Sequence, residues 1–192
     1  MEILLLGLVI FLGVHSIGLF AHGWRDHMVN RLGEPTWKIA FSVVSLIGFI
    51  LIIWGYGAAR GEPIWLWHPP VWTRHLAALL TLPAFIFLAA TYVPASRIKA
   101  KVGHPMVLGV KIWAFAHLLA NGTLADLLLF GAFLVWSIAS FAIMRRRDRL
   151  AGVDRGPGSI GRDGITLVVA LVGWALFAFY LHRVLIGVSP MG

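Results

Sequence analysis

Long apolar runs alternate with short polar joints along this chain, and the runs fall in one length class. A helix that crosses a bilayer needs roughly 20 mostly apolar residues, because no water inside the hydrocarbon can satisfy a free backbone group. Six stretches meet or approach that requirement. The pattern predicts spans over about Glu2 to His22, Trp37 to Gly57, Thr73 to Val93, Pro105 to Ala120, Leu124 to Met144 and Ile165 to Ile186. The fourth is the shortest and most polar, and it carries Lys111 and His117. Residues that interrupt helices mark the joints: Gly33-Glu34-Pro35 before the second span, Trp67-His68-Pro69-Pro70 before the third, and Pro94 after it. Asn121-Gly122 closes the fourth span, and Thr123 with Asp126 three residues on has the form of a capping box for the fifth. So short a joint makes the fourth and fifth spans an antiparallel hairpin.

Composition agrees with this pattern and removes the alternatives. Of 192 residues, 59% are hydrophobic and 12% charged, and the mean hydropathy is +0.86. A soluble globular protein is excluded, and residues 1–192 read as a single integral membrane domain. The net charge of +8 does not point to nucleic acid, since the basic residues are spread through the joints between apolar runs. Three joints hold most of them: Arg25, Arg31 and Lys38 in the first, Arg97, Lys99 and Lys101 in the third, and Arg145, Arg146, Arg147, Arg149, Arg155 and Arg162 in the fifth. Arg60, Arg74 and Arg183 fall on the other side. The positive-inside rule then puts the three basic joints in the cytoplasm and both termini outside it. This holds only if the fourth span crosses, so the charge pattern itself favours six. The first span lacks the basic leader of a signal peptide and reads as a membrane helix. Several tryptophans mark the edges, Trp24 and Trp37 on the cytoplasmic side and Trp54, Trp65, Trp67 and Trp72 on the outer side. Trp113, Trp136 and Trp174 fall deeper, in packing or lining positions. The segment from Arg145 to Gly164 reads as a long, basic, Gly-rich and mobile loop, a topology signal that is also attracted to anionic lipid.

Ionisable groups within a membrane are costly, so each requires an explanation. Eight histidines in so apolar a chain are the main anomaly, and cysteine is absent, which excludes disulfides and thiolate ligation. His27 and His68 lie in joints, and His75 and His182 near the outer ends of the third and sixth spans. His15 and His117 are inside the first and fourth spans, with His22 and His104 near the cytoplasmic ends of the same two. On a helix His15 shares a face with Phe11, Leu12, Gly18, Leu19 and His22, and His117 with Trp113, Ala114, Ala120 and Asn121. Gly18 on one side and Ala114 and Ala120 on the other leave room for something flat. A bis-histidine haem needs one imidazole from each of two facing helices and apolar walls. Zinc would need further ligands that are hard to find here. Depth along the spans leaves His117 with His182 or His75 as a competing pair, and histidines in a bundle also serve as interhelical hydrogen-bond partners. Lys111 fits either snorkelling to the interface or pairing with an anionic ligand such as a propionate. Asp126 reads as a cap, and no intramembrane carboxylate pair, phosphate loop, Ser-His-Asp spacing or HExxH motif is present.

The segment Gly103-His104-Pro105-Met106, continuing through Val110 to Gly122 as VKIWAFAHLLANG, resembles the signature of the NnrU family. Val14-His15-Ser16 and the closing stretch from His182 to Pro190 fit the same family, so the similarity covers essentially the whole chain. The resemblance implies a polytopic bacterial inner-membrane protein of a family named for an association with nitrite and nitric oxide reductase expression in denitrifying bacteria. The family is similar to zeta-carotene isomerases, which use a b-type haem on a membrane-dissolved polyene. Carried over by motif, the two haem-ligating histidines of that relative fall on His15 and His117. The plant enzymes have a cysteine three residues before the second histidine, where this chain has Ala114. His104-Pro105 is also similar to a motif of isoprenylcysteine-type membrane methyltransferases, although their preceding arginine is replaced by Gly103. The expectation is a six-helix membrane bundle binding haem b between the first and fourth spans. His15 and His117 are the iron ligands, with Lys111, His22 and His104 nearby, and the substrate is polyene- or quinone-like or the role is redox. A non-enzymatic membrane factor supporting denitrification enzymes is the alternative, and methyltransfer a third.

Overall fold

The computed structural model describes residues Met1–Met191 and is helical along most of its length. Its elements are α1 (Glu2–Phe20), α2 (His22–Leu32), α3 (Glu34–Gly61), α4 (Trp72–Tyr92), α5 (Arg97–Val102), α6 (Pro105–Ala120), α7 (Leu124–Leu150) and α8 (Ile160–Leu176). A π-helical turn at Phe177–Leu181 carries α8 into α9 (His182–Ile186). Only two isolated β-bridges occur among the described residues, and no strand. Five helical stretches are long and apolar enough to cross a membrane: α1, α3, α4, α7 and the continuous run Ile160–Ile186. α6, at 16 residues, is a shorter apolar helix. Outward-facing apolar side chains such as Val9, 70% exposed, and Val135, 69% exposed, have no polar role; the surface is made for lipid rather than water.

Several boundaries differ from the periodicity. The first predicted span ends at Phe20, because the backbone turns at Ala21 (φ −123°, ψ 44°) and His22 opens the separate helix α2. The i+7 register between His15 and His22 therefore does not continue, and the shared face expected for them is lost. The fifth span runs on to Leu150 and the sixth begins at Ile160, so the connection expected from Arg145 to Gly164 shrinks to residues 151–159. Arginine is a good helix former, and a run of it extends α7 past the apolar stretch. Hydropathy also gave no sign of α2 or α5, which are short and polar. α6 matches its expected limits.

The chain forms two compact units, Met1–Leu66 with Thr123–Ala132, and Trp67–Gly122 with Phe133 onward. In the first, α1 lies antiparallel against α3 at backbone distance. A β-carbon added to Gly7 would meet the amide nitrogen of Ile52 at 2.6 Å, and one on Gly48 that of Phe11 at 2.8 Å. Gly55 faces the backbone of Ile3 and Leu4 in the same way. Glycine lets membrane helices approach this closely, gaining dispersion contacts that lipid cannot offer. Trp24 of α2 packs edge-on against Trp37 of α3, ring centroids 5.7 Å apart. The expected capping box is present at the start of α7: Thr123 N–H donates to Asp126 Oδ2 at 2.9 Å and Asp126 N–H to Thr123 Oγ1 at 3.2 Å. Tyr56 of α3 adds a bond from its hydroxyl to Asp126 Oδ1 at 2.6 Å.

In the second unit α4 packs on both α6 and α8. The indole N–H of Trp174 donates to the Ala78 carbonyl at 3.1 Å and to Thr81 Oγ1 at 3.2 Å, so this deep tryptophan pins α8 to α4. The Gly122 carbonyl, just past α6, accepts from Trp67 N–H at 3.2 Å, five residues before α4 begins. At the opposite end of α6, α5 leads back to the end of α4. The two helices thus run antiparallel over the same stretch of the unit.

Candidate functional site

Each unit holds one of the two principal histidines, and both are prepared in the same way. His15, half-buried on α1, donates from Nδ1 to the Phe11 carbonyl at 2.7 Å. His117, half-buried on α6, donates from Nδ1 to the Trp113 carbonyl at 2.8 Å. A carbonyl can only accept, so Nδ1 carries a proton in both rings, and the tautomer this selects for a neutral imidazole has its lone pair on Nε2. A backbone carbonyl behind Nδ1 is the support that orients metal-ligating histidines and raises the basicity of the outer nitrogen.

Aromatic neighbours fix the ring planes. The Phe11 ring lies 4.2 Å from His15 between centroids, and Phe41 of α3 meets it edge-on at 5.1 Å. Trp113 lies 5.0 Å from His117 and is itself held edge-on by Phe133 at 5.7 Å. The i−4 residue therefore supplies both the accepting carbonyl and the packing ring at each site. Asn121 Nδ2 donates to the His117 carbonyl at 2.8 Å, satisfying a group that the helix end would otherwise leave open. Phe41 was invisible to a reading of single helices, because it reaches His15 only through the α1–α3 pairing.

The small residues expected to leave space behave differently on the two helices. Nothing lies within 4 Å of a β-carbon built on Gly18, so there is room beside His15. Ala114 is fully buried, so the space expected beside it near His117 is taken up by packing.

The other candidates have partners of their own. His22 is exposed on α2 and faces Asp26, Nε2 to Oδ2 3.4 Å. His104 precedes Pro105, the first residue of α6, and its Nε2 lies 2.7 Å from Asp148 Oδ2. The same oxygen accepts from Arg155 at 2.6 Å, which makes Asp148 the clasp between the start of α6, the end of α7 and the following connection. Asp148 stands alone among Arg145, Arg146, Arg147 and Arg149, and that charge reversal was the available clue to it. Lys111 places its ammonium 5.4 Å from the centroid of the Phe141 ring, a cation–π contact. His75 is exposed, and His182 donates from Nδ1 to the Val188 carbonyl at 2.7 Å in the C-terminal turn.

No group of three or more His, Cys, Asp or Glu side chains that could hold a metal ion occurs among the described residues. A porphyrin brings four nitrogens of its own and asks the protein for only two, and imidazoles prepared like His15 and His117 are suitable donors.

The family model described as NnrU protein matches residues 3–190. The chain belongs to the NnrU family. As an NnrU protein it is matched along nearly its whole length, and the match covers both units. No curated protein and no solved structure matches it.

Proposed function

We propose that this NnrU protein binds a b-type haem through His15 and His117 and works in the bilayer on a lipophilic polyene- or quinone-like molecule or in electron transfer. The observation that carries the reading is the shared preparation of the two imidazoles, each with Nδ1–H on the carbonyl four residues back and an aromatic ring against it. The likeness of the family to haem-dependent isomerases points to the same two residues. A haem bound there would supply a redox-active iron in an apolar setting. The chain's own contribution is to hold both rings in one tautomer, to present Nε2 as the donor atom, and to exclude water with Phe11, Phe41 and Trp113. Lys111 provides a cation held on Phe141, suited to an acidic substituent of the bound group. Ala114 offers no thiolate as an alternative ligand, so the residues needed for ligand exchange to sulfur are missing.

The test is spectroscopic. Protein purified in mild detergent from haem-replete cells should show a Soret band, with sharp α and β bands after dithionite, at near-stoichiometric haem. His15→Ala or His117→Ala should remove the bis-histidine spectrum while leaving insertion and helix content intact, and His22→Ala should leave it unchanged. A featureless spectrum from folded wild-type protein would overturn the reading and favour a non-enzymatic role in supporting denitrification enzymes.

We also infer six crossings with both termini outside the cytoplasm. At ~1.5 Å per residue α6 is roughly 24 Å long, short of a ~30 Å hydrocarbon core. Within its unit, however, it runs beside α4 from end to end, and its start and the α7–α8 connection meet at the His104–Asp148–Arg155 clasp. Six crossings also bring all three basic joints to one side. Because the chain has no cysteine, single introduced cysteines report topology directly. Lys101→Cys and Asp154→Cys should react with a membrane-impermeant maleimide only from the cytoplasmic side, and Glu62→Cys only from the outer side. Labelling of positions 101 and 154 from opposite sides would exclude α6 as a crossing.

A further inference from the structure

The basic end of the second unit contains a small cavity that the haem reading does not use. Its volume is about 260 Å³, and Ala95, Ser96, Lys99, Ala100 and Arg155 line it. The walls are built with care for so short a segment. Ser96 is fully buried and its hydroxyl accepts from Lys99 N–H at 3.0 Å. Ala95 adopts a left-handed φ of 54°, a conformation that costs a non-glycine residue energy and persists only where its surroundings enforce it. Here the enforcement is visible: the Ala95 carbonyl accepts from Ser159 N–H at 2.8 Å, and Ser96 forms a bridge with Ser159.

The charges around the cavity are not balanced. Residues 95–104 and 145–163 contain nine Lys or Arg and three Asp. Asp148 is shared between His104 and Arg155, and Asp163 Oδ1 accepts from Ile98 N–H. A methyl group built on Gly103 would lie 3.1 Å from Arg145 Nη1 and 3.1 Å from the guanidinium carbon of Arg155, so two guanidinium groups converge on one point. Lys99 spends one of its three ammonium protons on the Thr91 carbonyl at 2.8 Å and keeps donors for a further acceptor. Like charges brought together in this way are stabilised by an anion with several acceptor oxygens.

We propose that this cavity binds a phosphate group, held by Lys99 and Arg155 with Arg145 behind them. A phosphate fits by size, by charge and by its number of acceptor oxygens. Two sources share that chemistry, the headgroup of an anionic phospholipid and free inorganic phosphate.

The experiment is a binding titration on the full chain in nonionic detergent, followed by thermal shift, with short-chain phosphatidylglycerol, short-chain phosphatidylcholine and inorganic phosphate as separate probes. Phosphatidylglycerol or inorganic phosphate should raise the midpoint, and phosphatidylcholine, whose choline cation meets like charge, should not. Lys99→Gln should weaken binding by about tenfold, the equivalent of one charge-assisted hydrogen bond, and Lys99→Arg should restore it. Ala100→Met, which fills the cavity and leaves every charge in place, should weaken it as well. Lys101→Gln, exposed and outside the cavity, should have no effect. Binding of the lipid alone identifies a headgroup site, and binding of both probes with the same Lys99 dependence identifies a general phosphate site. Equal losses from Lys99→Gln and Lys101→Gln, or no loss from Ala100→Met, would overturn the proposal in favour of diffuse attraction to a basic surface.

Discussion

Gly55→Leu should separate α1 from α3 and leave little protein that elutes as a folded, monodisperse species. The reason is the identity of what the new side chain meets. At Gly55 the neighbours are main-chain atoms of Ile3 and Leu4, which cannot rotate away as a flexible side chain can. Overpacking against side chains costs about 1–3 kcal/mol; against backbone the whole helix pair must move apart, which also undoes the contacts at Gly7 and Gly48. Gly55→Ala should show a milder form of the same effect, with a loss above the about 1–3 kcal/mol of side-chain overpacking, because its β-carbon already meets that backbone. Gly57 is the matched control, since it lies on the same helix with nothing within 4 Å of an added β-carbon. There Gly57→Leu removes a poor helix former and should be neutral or stabilising by up to about 1 kcal/mol. Thermal unfolding by circular dichroism in detergent, with size-exclusion chromatography alongside, reads all three. Equal behaviour of Gly55→Leu and Gly57→Leu would show that the α1–α3 contact is not held at backbone distance.

These glycines show what a single sequence discloses and what it withholds. Hydropathy located every long helix, because burial in lipid imposes a length and a composition that survive any detail of packing. Pro94, Asn121-Gly122 and the Thr123/Asp126 pair fixed helix ends, because those signals act within a few residues. The antiparallel pairing of Gly7, Gly48 and Gly55 is a relation between distant segments, and spacing within one helix could only mark it as a pattern of small residues. The candidate site divides along the same line. His15 with Phe11 and His117 with Trp113 are i, i−4 relations and were legible. Phe41 beside His15 and Asp148 beside His104 depend on tertiary contact and were not. His22 falls on α2 rather than on the face of His15, because periodicity continues through a break that Ala21, an excellent helix former, does nothing to announce. Ala114, fully buried, gives no sign of this in the sequence, because a small residue looks the same whether it admits a ligand or a neighbouring helix.

Asp126 allows a sharp test of whether its carboxylate is used as a charge or as an arrangement of acceptors. It is almost fully buried, 5% exposed, and receives Tyr56 Oη–H at 2.6 Å on Oδ1, with Thr123 N–H at 2.9 Å and Thr123 Oγ1–H at 2.6 Å on Oδ2. Asp126→Ala removes all three acceptor contacts and leaves the Tyr56 hydroxyl and the Thr123 amide without their partner. Each buried unsatisfied group costs about 1–3 kcal/mol, so a total loss of about 3 kcal/mol is expected. Asp126→Asn should behave quite differently. With its amide oxygen in the place of Oδ2 it accepts both bonds from Thr123, and its NH2 group can donate to Tyr56 Oη. The expected loss is within about 1 kcal/mol, on the scale of exchanging a charged for a neutral hydrogen bond. Tyr56→Phe removes one bond and should fall between, with a coupling to Asp126→Ala measurable in a double-mutant cycle. Near-equality of the Asn and Ala variants would show that the negative charge itself is required. A carboxylate whose function is to tie α3 to the start of α7 predicts the opposite order, with the asparagine variant close to wild type in both stability and absorption spectrum.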